Sequence, residues 1–295
     1  MTPTATLYLD DCMRILPALP NASADAIIAD PPYGFFPKEM PFDQPPDPTI
    51  WSELYRIAKP NAFLAVFSRM PILAEWHAHI AAAGWKHSEH IVWCKRYSTP
   101  STTGLRRIHE SILIYRKGRA QYHDLYAPWW DTVLPTLPHG GIELKTVEKA
   151  IADIQIYMRT GRWRNKSTRT GLRDYRAIHT IRTGEYTVQP CNWFKMRLGS
   201  LWSFSIYDEH RLHPKQHPHQ KPIALLERLA KLLTAEGHTI LDPFMGSGTT
   251  GVAALKLKRH FIGIELQPDF YNLAKQRIQS LQEVTIHAHE PPNPK

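Results

Sequence analysis

The residues Ala29–Asp30–Pro31–Pro32–Tyr33–Gly34 put a carboxylate, two constrained carbonyls and an aromatic ring at one point of the chain. They follow the apolar run Asp25–Ala26–Ile27–Ile28, which predicts a strand that stops at Asp30. Proline fixes φ and has no amide hydrogen, so the carbonyls around Pro31 and Pro32 face outward as acceptors and join no ladder. Such a rigid pocket, with acceptors on its rim and a flat ring on its face, suits a planar ring bearing an exocyclic amine. Taken alone, the stretch is equally an ordinary strand-ending turn, because Pro-Pro and Tyr-Gly are common loop punctuation.

A second stretch lies far downstream, Leu241-Asp242-Pro243-Phe244-Met245-Gly246-Ser247-Gly248-Thr249-Thr250-Gly251. Gly246, Gly248 and Gly251 form a GxGxxG pattern between a predicted strand and a predicted helix, and Glu265 ends the next strand. The glycines let backbone approach a ligand at a helix N-terminus, and Glu265 is placed to accept from ribose hydroxyls. No lysine follows the last glycine, which excludes a phosphate P-loop. The turn therefore implies a nucleoside-containing cofactor, without separating NAD, and with it an oxidoreductase, from S-adenosylmethionine.

Both stretches need strands that end at them, and the flanking sequence supplies these. Predicted strands over Leu7–Leu9, Ala62–Phe67, His90–Trp93, Ser111–Tyr115, Thr239–Leu241 and Phe261–Ile264 alternate with helices over Trp51–Ala58, Ile72–Ala83, Ile223–Leu233, Thr249–Leu257 and Phe270–Leu281. That alternation predicts a largely parallel α/β sheet. Lys59-Pro60-Asn61 reads as a turn, and residues 34–48 as a loop over the site. From about Ala120 the pattern breaks. A helix is predicted over Glu143–Met158, followed by Arg159, Arg162, Arg164, Lys166, Arg169, Arg173 and Arg176 against only Asp174. Arginines mixed with Thr, Asn and aromatics are what phosphate contacts and base-edge readout need, although a solvated charged insertion has the same composition.

The chain has 295 residues, 43% of them hydrophobic, enough for one main domain with a sizeable insertion. A net charge of +9 favours a polyanionic partner. The three cysteines, Cys12, Cys94 and Cys191, are scattered, which argues against a disulfide framework or a cysteine zinc site. The histidines from His210 to His219 lack a carboxylate or cysteine among them, so no metal is expected. Neither a long uncharged apolar run nor a signal-peptide pattern is present, and a cytoplasmic protein with no membrane contact is expected.

Asp30-Pro31-Pro32-Tyr33 followed by Asp242-Pro243-Phe244-Met245-Gly246-Ser247-Gly248-Thr249-Thr250 resembles the amino-group DNA methyltransferases. The order matches their β class, with the catalytic motif first, then a target-recognition region, then the cofactor turn. His217-Pro218-His219-Gln220-Lys221-Pro222 resembles the family's helix opening before that turn. His109-Glu110-Ser111-Ile112-Leu113-Ile114-Tyr115-Arg116-Lys117-Gly118 resembles one of its strands. The match covers residues 7–118 and 210–281 and leaves the stretch between without a family motif.

The resemblance implies a doubly wound, mostly parallel, Rossmann-like α/β fold, circularly permuted, of the class I S-adenosylmethionine-dependent methyltransferases. It divides the chain into a catalytic half (1–118), a target-recognition insertion (119–209), a cofactor-binding half (210–285) and a tail (286–295). It implies S-adenosyl-L-methionine as cofactor, with Phe244, Gly246, Ser247, Gly248 and Thr249 lining it and Glu265 on its ribose. Asp11 would meet the adenine amine, Asp242 the methionine amine, and Lys221 the methionine carboxylate. Asp30, Pro31, Pro32 and Tyr33 would be catalytic on a flipped base in double-stranded DNA, adenine in preference to cytosine. Arg162, Arg164, Lys166, Arg169, Arg173 and Arg176 would meet the DNA. A homodimer and a cognate restriction endonuclease are left open by the family.

Overall fold

The structure, a computed structural model, describes residues 2–35, 43–95, 109–124, 126–128, 195–197, 201–203, 220–281 and 285–289. The chain divides into two compact units, residues 1–125 with 200–295, and residues 126–199. In the second, β6 (Tyr126–Pro128) and β7 (Lys195–Arg197) pair antiparallel as a two-stranded ribbon. The helix expected over Glu143–Met158 and the arginine-rich stretch after it lie outside the described residues.

The first unit is built on a sheet of nine described strands. In chain order its elements begin with β1 (Thr4–Leu9), α1 (Cys12–Ile15), a 3₁₀ turn (Leu16–Ala18) and β2 (Ala24–Ala29). There follow α2 (Ile50–Ile57), β3 (Ala58–Ser68), α3 (Ile72–Ala82), β4 (Lys86–Cys94), β5 (His109–Arg116) and β8 (Leu201–Ser203). The chain then runs through α4 (Ile223–Leu233), β9 (Thr239–Asp242), α5 (Thr249–Lys256), β10 (His260–Glu265), α6 (Pro268–Gln279) and β11 (Thr285–His289). Their spatial order is β11-β1-β10-β9-β2-β3-β5-β4-β8, parallel from β11 to β3. β5 alone runs against its neighbours β3 and β4.

Burial explains the pattern. A strand covered on both faces must be apolar throughout, and Ala26–Ala29 of β2 is buried at every position. In α2, Ile50, Trp51, Leu54 and Ile57 recur at helical spacing and form the buried face. They pack with Leu64, Val66, Trp76 and Leu113 in one core.

Three expectations differ. Lys59–Asn61 belongs to β3, but β2 pairs with Ala58 and then directly with Phe63, so the intervening residues bulge out of the ladder and Asn61 takes φ 65°. Leu201–Ser203, expected in the insertion, extends the main sheet beside β4. Thr285–His289, expected mostly as tail, pairs with β1 and is locked by Tyr8 stacked on His289 at 4.7 Å. In the last two cases backbone pairing across the sheet outweighs local propensity.

The topology fixes one sheet edge. The parallel strands β1, β10, β9, β2 and β3 all end there, delivering Asp11, Glu265, Asp242, Asp30 and Ser68 in that spatial order. Because β5 is antiparallel, its first residues, His109 and Glu110, reach the same edge, opposite Cys94 and Trp93 at the end of β4.

Candidate active site

Asp30 is the first residue beyond β2, and β2 pairs with β9 through Ile27↔Leu241. The acceptor-rich stretch and the glycine turn therefore leave the sheet side by side, where open α/β sheets bind ligands. Both oxygens of Asp30 are engaged. Oδ1 accepts from the Tyr33 hydroxyl at 3.0 Å, and Oδ2 accepts from the Lys221 ammonium. The Tyr33 ring packs edge-on to Phe35 and tilted against Trp76, with the Arg69 guanidinium 3.6 Å over Phe35. Burial first, and then the Asp30 charge, push the Tyr33 hydroxyl well above its ordinary range, which keeps it a donor. Asp43 clamps the loop from outside the motif, its Oδ1 accepting from the amides of Tyr33 (2.9 Å) and Gly34 (3.0 Å).

The glycine turn is braced from three sides. Asp242 Oδ1 accepts from the Phe244 amide at 3.0 Å, and burial pushes its carboxyl up to about 7 despite a bond from the Thr250 hydroxyl. Glu265 accepts from the Gly246 amide and the Gln267 amide, each at 2.8 Å, and burial raises it too. Arg277 of α6 donates to the Ser247 carbonyl (2.5 Å), the Ser247 hydroxyl (3.0 Å) and the Thr249 hydroxyl (3.2 Å). Gly246 and Gly248 adopt φ of 53° and 74°, a region that costs a side-chain-bearing residue energy. Asp11 caps α1 through the Met13 amide at 2.8 Å, and the neighbouring Asp10 amide donates to the Glu265 carbonyl at 3.1 Å. Asp11 thus follows the end of β1, next to the end of β10 that carries Glu265.

A line of charges runs inward from Asp30. Lys221 also lies 3.8 Å from Glu110 Oε2 and 5.0 Å from the centre of the Phe67 ring. Glu110 Oε1 is paired with Lys95. Burial alone would raise the Glu110 carboxyl, but the Lys221 and Lys95 ammoniums outweigh it and hold it below the ordinary carboxylate range. For Lys221 burial likewise opposes the charge, and Asp30 and Glu110 outweigh it, raising its pKa.

The structure brings Asp30, Pro31, Pro32, Tyr33, Asp11, Lys221, Asp242, Phe244, Gly246, Ser247, Gly248, Thr249 and Glu265 to one edge of the sheet. The arginines and the lysine from Arg162 to Arg176 lie outside the described residues. Sequence reasoning gave no role to Asp43, Lys95, Glu110 or Arg277. The signal for Lys95 and Glu110 was present, as charged residues at the ends of apolar strands that face the functional edge. Asp43 and Arg277 carried none, because their partners are chosen by the loop path and by helix packing. Among the described residues no cluster of potential metal ligands occurs and no helix is long and apolar enough to cross a membrane.

The family model of the N6/N4 DNA methylases matches residues 24–276. The type II methyltransferase M2.DpnII of Streptococcus pneumoniae is 41% identical over 87 residues, covering 30% of this chain and 32% of that protein. The type II methyltransferase M.HpaI of Haemophilus parainfluenzae is 24% identical over 288 residues, covering 93% of this chain and 74% of that protein. The crystal structure of the M1.HpyAVI-SAM complex shares the fold, with a TM-score of 0.57 at 21% identity over 94% of this chain and 100% of that one. With the family match running from the strand before Asp30 to the helix after Glu265, this chain belongs to the N6/N4 DNA methylase family and is a DNA methyltransferase of that family.

Proposed function

We propose that the protein transfers a methyl group from S-adenosyl-L-methionine to the N6 amine of an adenine flipped out of double-stranded DNA. The observation that carries this reading is the pairing of β2 with β9, which sets the acceptors at Asp30 beside the glycine turn. When bound, the cofactor supplies a methyl group on a positively charged sulfonium sulfur. The row of acceptors suits a cationic ligand containing adenosine, because the carboxylates Asp11, Glu265, Asp242 and Asp30 follow one another along the same edge. Asp242 would hold the methionine amine, Glu265 the ribose hydroxyls through lone pairs its amide donors leave free, and Asp11 the adenine amine. Leu266, 53% exposed next to Glu265, offers an apolar face for the ring.

An exocyclic amine is a poor nucleophile because its lone pair is delocalised into the ring. Asp30 and the Pro31 carbonyl would accept from its two protons, favouring a pyramidal nitrogen whose lone pair points at the methyl carbon. Rate then comes from positioning and electrostatics, with Asp30 placed to hold the proton the nitrogen sheds. The base reaches this pocket only when out of the duplex, and Tyr33 would stack on it. Stacking contributes about 1–3 kcal/mol per base, comparable to the few kcal/mol that unstacking costs. The basic stretch from Arg162 to Arg176 would contact phosphates and base edges.

Labelled S-adenosylmethionine and unmethylated genomic DNA, followed by mass spectrometry of the nucleosides, test the reading. Label on the adenine amine is the expected result. Label on the cytosine amine would keep the site and reverse the base, and a bound cofactor without label in DNA would overturn the DNA reading.

Asp242 gives a pH prediction. Its carboxyl is pushed up to about 7, so it must lose a proton to hold an ammonium group. Cofactor affinity should therefore rise with pH towards about 7 and level off above it, by up to about tenfold per unit. Asp242→Asn should flatten that rise in a calorimetric titration. Stability carries the opposite sign. The contribution of the raised carboxyl is fully present below the ordinary carboxylate range and is lost as pH rises through about 7.

A further inference from the structure

The Lys221 ammonium sits on Asp30 Oδ2 and the Tyr33 hydroxyl on Oδ1, so the target amine of the proposed function meets a carboxylate whose oxygens are both engaged. The Lys221 side chain is only 13% exposed, so water cannot readily take the ammonium over when the amine arrives. A buried cation leaves one anion at low cost only if another acceptor is waiting. One is waiting. Glu110 Oε2 is buried and has no hydrogen-bond partner among the described residues, although it stands 3.8 Å from Lys221 Nζ. Unpartnered buried carboxylate oxygens are rare, because leaving one unmet forfeits its hydration with nothing in return. The other oxygen, Oε1, is fixed by Lys95, so the carboxylate is anchored on one side and open on the side facing Lys221. A shift of the ammonium by about 1 Å would bring it to normal charge-assisted hydrogen-bond distance from Oε2.

We infer that Glu110 receives the Lys221 ammonium when the target amine engages Asp30, which makes Glu110 a positioning residue for Asp30. The inference rests on the reading of Asp30 as the acceptor of the target amine. Lys221 then has two stations, Asp30 in the resting site and Glu110 in the engaged one, and Lys95 keeps the second station in place. Since β5 is the antiparallel strand of the sheet, its amino end carries Glu110 to this edge, and a parallel strand there would have carried it to the opposite one.

The test uses the full chain with wild type, Glu110→Gln, Lys221→Met and the double variant. Each is measured for Tm, for cofactor and DNA Kd, and for single-turnover methyl transfer. Glu110→Gln should slow transfer by about 10- to 100-fold, as for loss of one charged hydrogen bond, with both Kd values within about twofold of wild type. In the Lys221→Met background the same change should cost nothing further, because Glu110 acts through Lys221. An equal loss in both backgrounds, a wild-type rate in Glu110→Gln, or a loss confined to cofactor affinity would overturn the proposal. Should Glu110→Gln fold poorly, Glu110→Asp keeps the charge and shortens the reach; a selective loss of rate supports the proposal and an unchanged rate overturns it. Wild-type transfer to DNA in the same assay keeps the two readings apart. Its absence overturns the proposed function together with this inference, whereas its presence alongside additive losses overturns the inference alone.

Discussion

Asp30→Ala is expected to lower methyl transfer on the order of 10³-fold or more while leaving cofactor Kd within a few-fold of wild type. The asymmetry follows from placement. Asp30 ends β2, whereas the groups proposed to hold the cofactor end β1, β9 and β10. Its side chain is 28% exposed, and Lys221 keeps Glu110 within 3.8 Å after the substitution, so the ammonium is not left without an anion. The fold should therefore survive, and a near-normal Tm together with an intact cofactor titration would show it. Asp30→Asn should be nearly as inactive. Its amide presents one neutral oxygen, and the neighbouring donors Lys221 and Tyr33 compete with the target amine for it. Turnover at more than a tenth of the wild-type rate in either variant would remove Asp30 from the chemistry.

Gly248→Val should cost both stability and cofactor binding. Gly248 has φ 74°, and a Cβ there would lie 2.8 Å from Ala274 Cβ and 3.0 Å from Ala274 Cα on α6. The left-handed conformation costs a side-chain-bearing residue about 1–2 kcal/mol. Overpacking against α6 adds about 1–3 kcal/mol. Relief requires the turn or α6 to move, and α6 carries Arg277, whose bonds to Ser247 and Thr249 hold the turn in shape. We expect Tm to fall by roughly 10 °C and cofactor Kd to rise by roughly 100-fold or more, as for several lost hydrogen bonds. Gly237→Ala is the control. Gly237 also has positive φ, 77°, but nothing within 4 Å of its Cβ position, so only the backbone cost of about 1–2 kcal/mol applies. Calorimetry on both variants separates the two contributions. A Gly248→Val protein with normal cofactor affinity would place the ligand elsewhere.

The two contiguous motifs are legible in the amino-acid sequence, and the reason is local. Asp-Pro-Pro-Tyr makes its own conformation, since proline sets φ and removes the amides that could have drawn the segment into a ladder. The glycine turn is likewise specified by its own residues, because Gly246 and Gly248 are the positions where φ is positive. Alternating apolar runs set the α/β class, and the order of the motifs sets which strands carry them. Where neighbours from distant sequence decide, the local pattern is silent or misleading. Thr285–His289 looks like a frayed end, yet β1 offers an open edge that its backbone satisfies.

The charge line from Asp30 shows the division most clearly. Asp30 and Lys221 are 191 residues apart, and Glu110 enters from a third segment. Each is visible in the sequence as a residue type, and Asp30 and Lys221 also through motif. That they meet depends on the antiparallel direction of β5, on β2 lying between β9 and β3, and on Lys221, just before α4, reaching Asp30 at the same edge. The sequence alone determined the chemical groups and the local turns that present them, because those depend on φ, amide donors and apolar period within a few residues. Only the tertiary structure decided which carboxylates share the lysine and which of their oxygens is left waiting, because a buried charge finds its partner through strand order and direction, which no local window contains.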